Sequence, residues 1–225
     1  MRKEIFVIAL TIIFIVPACS PTLTSPSVSA NPTPVETLMP GATEAFRKGE
    51  QAYNAGNLDL AIEHYTQAVT LSPRYADAYY NRAVVHEDRG VFDQAIADYS
   101  KAIEIDSRYT RAYYNRGILF YRQGDFDSAL ADYSKAIELA PASPQPYNNR
   151  GIVQEEKGNL DQAIADYSKA IELEPGFAIA YLNRGQVYRE KNLKAQALAD
   201  FQKYLEINPS ATNRAEVEQW IRELQ

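Results

Sequence analysis

The sequence predicts an all-α fold, a right-handed α-solenoid of five helix-turn-helix units closed by a C-terminal capping helix. Three observations predict it. Tyr79, Tyr113, Tyr147 and Tyr181 stand 34 residues apart, and the alanines Ala61, Ala95, Ala129, Ala163 and Ala197 keep the same interval. So do the aromatics Tyr65, Tyr99, Tyr133, Tyr167 and Phe201. A period of about 34 residues is that of a helix pair which buries its apolar face only by stacking on its neighbours. Second, Gly56, Gly90, Gly124, Gly158 and Asn192 recur between the two helices of each unit, and glycine and asparagine accept the left-handed conformation that ends a helix. Third, small residues at Gly49, Ala83, Gly117, Gly151 and Gly185 recur in each first helix, where they let backbones approach.

Taken in order, the units are 42–75, 76–109, 110–143, 144–177 and 178–211. In each, helix A opens on a member of the Ala45 and tyrosine column, and helix B packs its alanine and aromatic columns inward. Pro73, Pro141, Pro175 and Pro209 end helix B, because proline cannot continue a helix; Ser107 is the one departure. In 212–225, Val217, Trp220, Ile221 and Leu224 share one helical face at i, i+3, i+4 and i+7. A last helix of this kind caps the open end of a solenoid, so the single Trp is read as packing and not as recognition.

These columns resemble the tetratricopeptide repeat (TPR) family over residues 42–211. The resemblance implies that the A helices line a concave face and that the chain binds a protein or peptide partner there. On that face Asn81, Asn115, Asn149 and Asn183 recur within Tyr-x-Asn-Arg segments. Asparagine is a middling-to-poor helix former, so helix propensity does not explain it in mid-helix. Two readings stand: a ladder of amides that holds a peptide backbone, similar to that in the TPR superhelix of the O-linked N-acetylglucosamine transferases, or bonds between repeats. Beside the ladder run Tyr80, Tyr114, Asn148 and Leu182, then Val84, Ile118, Ile152 and Gln186, with Tyr121 further along and Arg111 at the helix start. The family's carboxylate clamp would fall on Phe46, Glu50, Asn81, Arg111 and Asn115. Only Asn81 and Arg111 keep suitable chemistry and Glu50 would repel a carboxylate, so an acidic C-terminal tail is not the expected ligand.

The first residues carry a different signal. Arg2 and Lys3 precede an apolar run from Ile5 to Val16, too short for a comfortable membrane span and shaped like a secretory signal peptide over residues 1–18. Val16-Pro17-Ala18-Cys19 resembles the bacterial lipobox, with Cys19 as lipid acceptor and Pro17 as a departure; the other reading is a free thiol or a buried filler at the end of an uncleaved anchor, since no second cysteine exists for a disulfide. The proline-, serine- and threonine-rich stretch that completes 19–41 cannot build a core and is read as a tether. Together these predict an exported chain anchored through its N-terminal lipid, extracytoplasmic, at an outer membrane or cell surface. The formal charge is −6, and −7 without residues 1–18, with basic residues interleaved among acidic ones; nucleic acid is excluded as a partner class.

No catalytic or cofactor chemistry is legible. His64 and His86 are the only histidines and sit at different points of their units, no spacing suits a metal, and no phosphate loop or activated nucleophile is present. The pairs Glu87/Asp88 and Glu155/Glu156 read as a solvated face. The Arg82, Arg116, Arg150, Arg184 and Asp98, Asp132, Asp166, Asp200 columns read as ion pairs within or between units. Lys101, Lys135, Lys169 and Lys203 read as i,i+3 partners of Glu104, Glu138, Glu172 and Glu206. The expectation is a non-enzymatic scaffold for envelope assembly, with self-association into a homo-oligomer as the alternative. TPR lipoproteins similar to it serve pilus assembly, outer-membrane protein insertion or control of cell-wall hydrolases.

Overall fold

The computed structural model describes residues 39–225; the signal-like segment, Cys19 and most of the tether lie outside the described residues. Helices occupy the described chain in pairs: α1 (Pro40–Asn54) with α2 (Leu58–Leu71), α3 (Ala76–Asp88) with α4 (Phe92–Ile105), α5 (Thr110–Arg122) with α6 (Phe126–Leu139), α7 (Pro144–Glu156) with α8 (Leu160–Leu173), and α9 (Ala178–Glu190) with α10 (Lys194–Ile207). A single helix, α11 (Arg214–Leu224), follows. Pro40 and Gly41, expected in the tether, belong instead to α1. Proline suits the first helical turn, whose N–H groups have no intrahelical acceptor, and the Met39 N–H donates to Ser72 Oγ at 3.2 Å.

Each turn between paired helices is closed by backbone at positive φ. Gly56, Gly90, Gly124 and Gly158 lie at φ 74–77°, and Asn192 at 58°. The alanine column is fully buried, as are the helix B aromatics, at 0–1 % exposure. The small residues of the A helices explain how those rings fit. A Cβ on Gly151 would stand 2.7 Å from Tyr167 Cε1, and one on Gly185 2.7 Å from Phe201 Cε1. Ala83 holds the same place in the second unit and packs in one cluster with Tyr99, so one methyl is accommodated there.

Neighbouring A helices touch directly, α5 with α7 and α7 with α9, while no two B helices do so to a comparable extent. The stack therefore curves with the A helices inside. At its end, Trp220 of α11 lies against Phe201 at 5.3 Å between ring centres and under the Arg189 guanidinium at 4.4 Å. Val217 is fully buried beside it. Burial of this apolar stripe closes the last unit. No helix among the described residues is long and apolar enough to cross a membrane.

Candidate functional site

Two polar systems run along the stack. The first is a seam of arginines. Arg82 donates through Nε and Nη2 to both oxygens of Asp98 at 2.7 Å, and Arg116–Asp132, Arg150–Asp166 and Arg184–Asp200 repeat the fork at 2.7–2.8 Å. The remaining Nη1 reaches back one unit to Thr66, Ser100, Ser134 or Ser168 at 2.8–3.1 Å. The guanidinium lies over Tyr79, Tyr113, Tyr147 or Tyr181 at 5.5–5.8 Å, so the tyrosine column flanks the seam. The aspartates are buried. The pairing expected from the charge columns is thus within each unit, with a strut to the preceding one. The Lys–Glu pairs also form, at 2.7–2.8 Å on the outer face.

The second system lines the inner face, where the asparagines stand half-buried. Asn115 Nδ2 donates to the hydroxyls of Tyr80 and Tyr99, both at 3.2 Å. Asn149 donates to Tyr114 at 3.1 Å, Asn183 to Asn148 Oδ1 at 3.1 Å, and Asn81 to Tyr65 at 3.5 Å. Each bond crosses from one unit to the one before, so the amide group serves the stack. Among the described residues the amide oxygens of Asn81, Asn115 and Asn183 accept nothing, and the hydroxyls of Tyr80 and Tyr114 donate nothing. Burial, first of the causes, raises the pKa of both hydroxyls, so their protons stay available as donors at neutral pH. Of the two readings the sequence left open, the structure shows the bonds between units; the Asn149 oxygen accepts from Asn148, and those of Asn81, Asn115 and Asn183 keep acceptor capacity.

Ile118, Ile152 and Val84 are half-buried beside these groups, as are Tyr80, Tyr114 and Tyr121, while Arg111 is exposed at the start of α5. The Tyr80 ring stacks on Tyr109 at 5.0 Å, and the Tyr109 hydroxyl donates to Asp77 at 2.6 Å. Near the first unit a recess of about 110 Å³ is lined by Glu50, Tyr53, Asn54, Tyr65, Asn81 and Val84. At the far rim, Glu87 and Glu155 are not the solvated carboxylates expected. Glu87 accepts from the Tyr99 hydroxyl at 2.9 Å and Glu155 from Tyr167 at 2.7 Å, because the final turn of each A helix leans over its own helix B ring. Among the described residues no cluster of His, Cys, Asp or Glu is arranged to hold a metal ion.

Models of the tetratricopeptide repeat match residues 110–143, 133–165 and 178–210, and a TPR repeat model matches 49–90, 88–124 and 156–192. The chain is a TPR protein. Among solved structures, that of MamA is similar at a TM-score of 0.71 and 27% identity, over 78% of this chain and 94% of that one. YrrB, described as a TPR protein with an unusual peptide-binding site, shares the fold at a TM-score of 0.70 and 22% identity, over 79% and 92%. PilF of Pseudomonas aeruginosa shares it at 0.68 and 19%, over 82% and 88%. Among curated sequences, the TPR repeat-containing thioredoxin TDX of Oryza sativa subsp. japonica is 53% identical over 38 residues, which is 17% of this chain and 12% of that protein. The uncharacterized protein MJ0572 of Methanocaldococcus jannaschii is 36% identical over 39 residues, 17% of this chain and 45% of that protein. The chain thus matches less than half the length of either curated relative.

The TPR fold is that of a protein-interaction scaffold, and its inner face is where this chain departs from strict repetition. The column Tyr53, Glu87, Tyr121, Glu155 and Arg189 alternates hydroxyl and carboxylate over the first four units, and the next column runs Asn54, Asp88, Arg122, Glu156 and Glu190. The Tyr53 hydroxyl donates to Asp88 of the next unit at 2.7 Å. Nothing in the residue-by-residue reading singled out Tyr53, Glu87 or Glu155 as groove residues. Aligning the chain on its 34-residue interval exposes the alternation, and that was the signal able to find them.

Proposed function

We propose that this TPR protein is an extracytoplasmic scaffold, held at a membrane by lipid on Cys19, which binds an extended peptide segment of an envelope complex along its inner face. It works by binding and not by catalysis. The observation that supports binding is the set of amide oxygens of Asn81, Asn115 and Asn183 and hydroxyl protons of Tyr80 and Tyr114 that have no partner among the described residues, on the same face as Ile118 and Ile152. Extended backbone presents alternating N–H and C=O groups, which such a row can satisfy without reading side chains, while the apolar floor takes an anchor residue. The peptide-binding description of YrrB agrees with this reading. The lipid tether rests on the Val16-Pro17-Ala18-Cys19 segment and the proline-rich stretch after it.

The test is one experiment with two arms in cells expressing the full chain. A photo-crosslinking residue at Ile118 should capture a defined partner in the membrane fraction, and Cys19→Ala should abolish fatty-acid labelling and release the protein from that fraction. Capture of only a second copy of the chain would replace the scaffold reading with self-association. Membrane retention and undiminished labelling of the Cys19 variant would end the lipid anchor.

A further inference from the structure

The ion-pair pattern divides the molecule. Many carboxylates on the seam and outer faces are matched by a base: Asp98, Asp132, Asp166 and Asp200 by arginine, Asp59, Asp127 and Asp161 by the Arg89, Lys157 and Lys191 of the next unit, and Glu104, Glu138, Glu172 and Glu206 by lysine, while Asp93 in the same column as Asp59 accepts from Gln123 instead. On the rim of the inner face the matching stops. Among the described residues Glu155, Glu156 and Glu190 form no ion pair, although they come from the ends of adjacent A helices, α7 and α9. Arg122 is near enough to Glu87 to oppose the rise in its pKa, and no cation does this for Glu155.

Glu155 is half-buried at the edge of the apolar floor, while Glu156 and Glu190 are exposed beside it. Tyr121, Ile118 and Ile152 lie on the same inner face, half-buried, and the charges of Glu156 and Glu155 act on the Tyr121 hydroxyl. Resting on the reading that the inner face binds an extended peptide, we propose that its third to fifth units select one with basic side chains flanking an apolar or aromatic residue. The anchor packs on Ile118 and Ile152, and a lysine or arginine beside it reaches the Glu155, Glu156 and Glu190 rim. Charge complementarity governs partner choice and encounter rate, and the rim's own guanidiniums are engaged elsewhere, Arg189 over Trp220 and Arg122 over Phe92, so a cation for these three glutamates would come from the peptide.

The free protein carries an electrostatic cost at this rim. Burial raises the Glu155 carboxyl above its ordinary value, the Tyr167 hydroxyl opposes the rise, and Glu190 and Glu156 add to it. A carboxyl whose folded pKa is raised favours the fold below its unfolded value and loses that contribution as pH rises through the folded one. The rim is therefore least comfortable at neutral pH, where a bound cation would relieve it.

The test uses the full chain and a fluorescein-labelled Lys-Ile-Lys-Tyr-Lys-Ile peptide, with counterparts in which every Lys is Gln or Glu. The Lys peptide should bind roughly tenfold tighter than the Gln peptide, and the Glu peptide weaker than either, as expected for hydrogen bonds to charged groups. The Glu155→Gln, Glu156→Gln, Glu190→Gln triple variant should erase that preference while melting higher than the parent at pH 7, by a margin that narrows towards pH 4. Equal binding of the Lys and Gln peptides, both lost on Ile118→Asp, would overturn the charge preference and leave the groove reading standing. No binding of any peptide, or binding indifferent to Ile118→Asp, would overturn both. A triple variant that melts lower would show the rim to be structural and also overturn the proposal.

Discussion

The arginine seam and the inner face use similar polar side chains at the same 34-residue interval, yet they behave differently from unit to unit. In the seam the same fork of arginine and aspartate recurs in four units, with a serine or threonine hydroxyl from the unit before always taking the spare Nη1. On the inner face only the asparagines repeat strictly; the columns beside them change from Tyr80 to Asn148 and from Glu87 to Tyr121 to Arg189. A buried charge has few satisfactory surroundings, so each unit keeps the same one. A half-exposed side chain has water as an alternative partner and can vary. Strict repetition in this molecule marks what holds the stack together, and variation at a fixed register marks side chains that the stack does not constrain.

The largest effect that could break this contrast lies in the seam. Asp132→Ala leaves Arg116 with its charge and without its buried partner, and should destabilise the chain by about 3–5 kcal/mol, measured by chemical denaturation. A much smaller loss would mean that the seam is as exposed and replaceable as the rim. Next comes the apolar interior between the two systems. Ala129→Leu, at a position with no exposed surface, should cost about 1–3 kcal/mol through overpacking; an unchanged melting curve would remove the alanine column from the core.

The smallest effect sharpens the boundary, because the asparagines belong to both sides of it. Asn115→Ala loses its bonds to Tyr80 and Tyr99, and by the seam's logic should cost about 0.5–1.5 kcal/mol per bond in stability. By the groove's logic it also removes an unused acceptor and should weaken peptide binding by more than that stability loss explains. Melting temperature and affinity measured together separate the two. A variant that melts lower but binds normally while folded would assign the whole column to the stack.

Much of the fold could be read along the chain, because a helix pair repeated at constant spacing has one way to bury its columns. Tyr65, Tyr99, Tyr133, Tyr167 and Phe201 announced the interior, and Gly151 or Gly185 announced a close approach, although the structure shows a ring and not a backbone there. Asn192 stood where glycine stands elsewhere, and its positive φ follows from the same turn. The inner face was legible only in outline. Asn81, Asn115, Asn149 and Asn183 were visible as a column, but their partners lie on other helices, 16 or 35 residues away, and two readings remained.

The sequence by itself determined the period, the turn positions, the capping stripe of α11 and the residue types facing inward, since each follows from local conformation or from helical spacing. Tertiary structure decided which polar groups were consumed. It sent the Arg116 fork to Asp132 and its spare nitrogen to Ser100, turned the Asn115 amide towards Tyr80 and Tyr99, and drew Glu155 in from water to Tyr167. Hydrogen bonds between side chains on different helices depend on how closely those helices approach. That distance is set by the size of Gly117 or Gly151 against a ring on the partner helix, which no single segment of the chain contains.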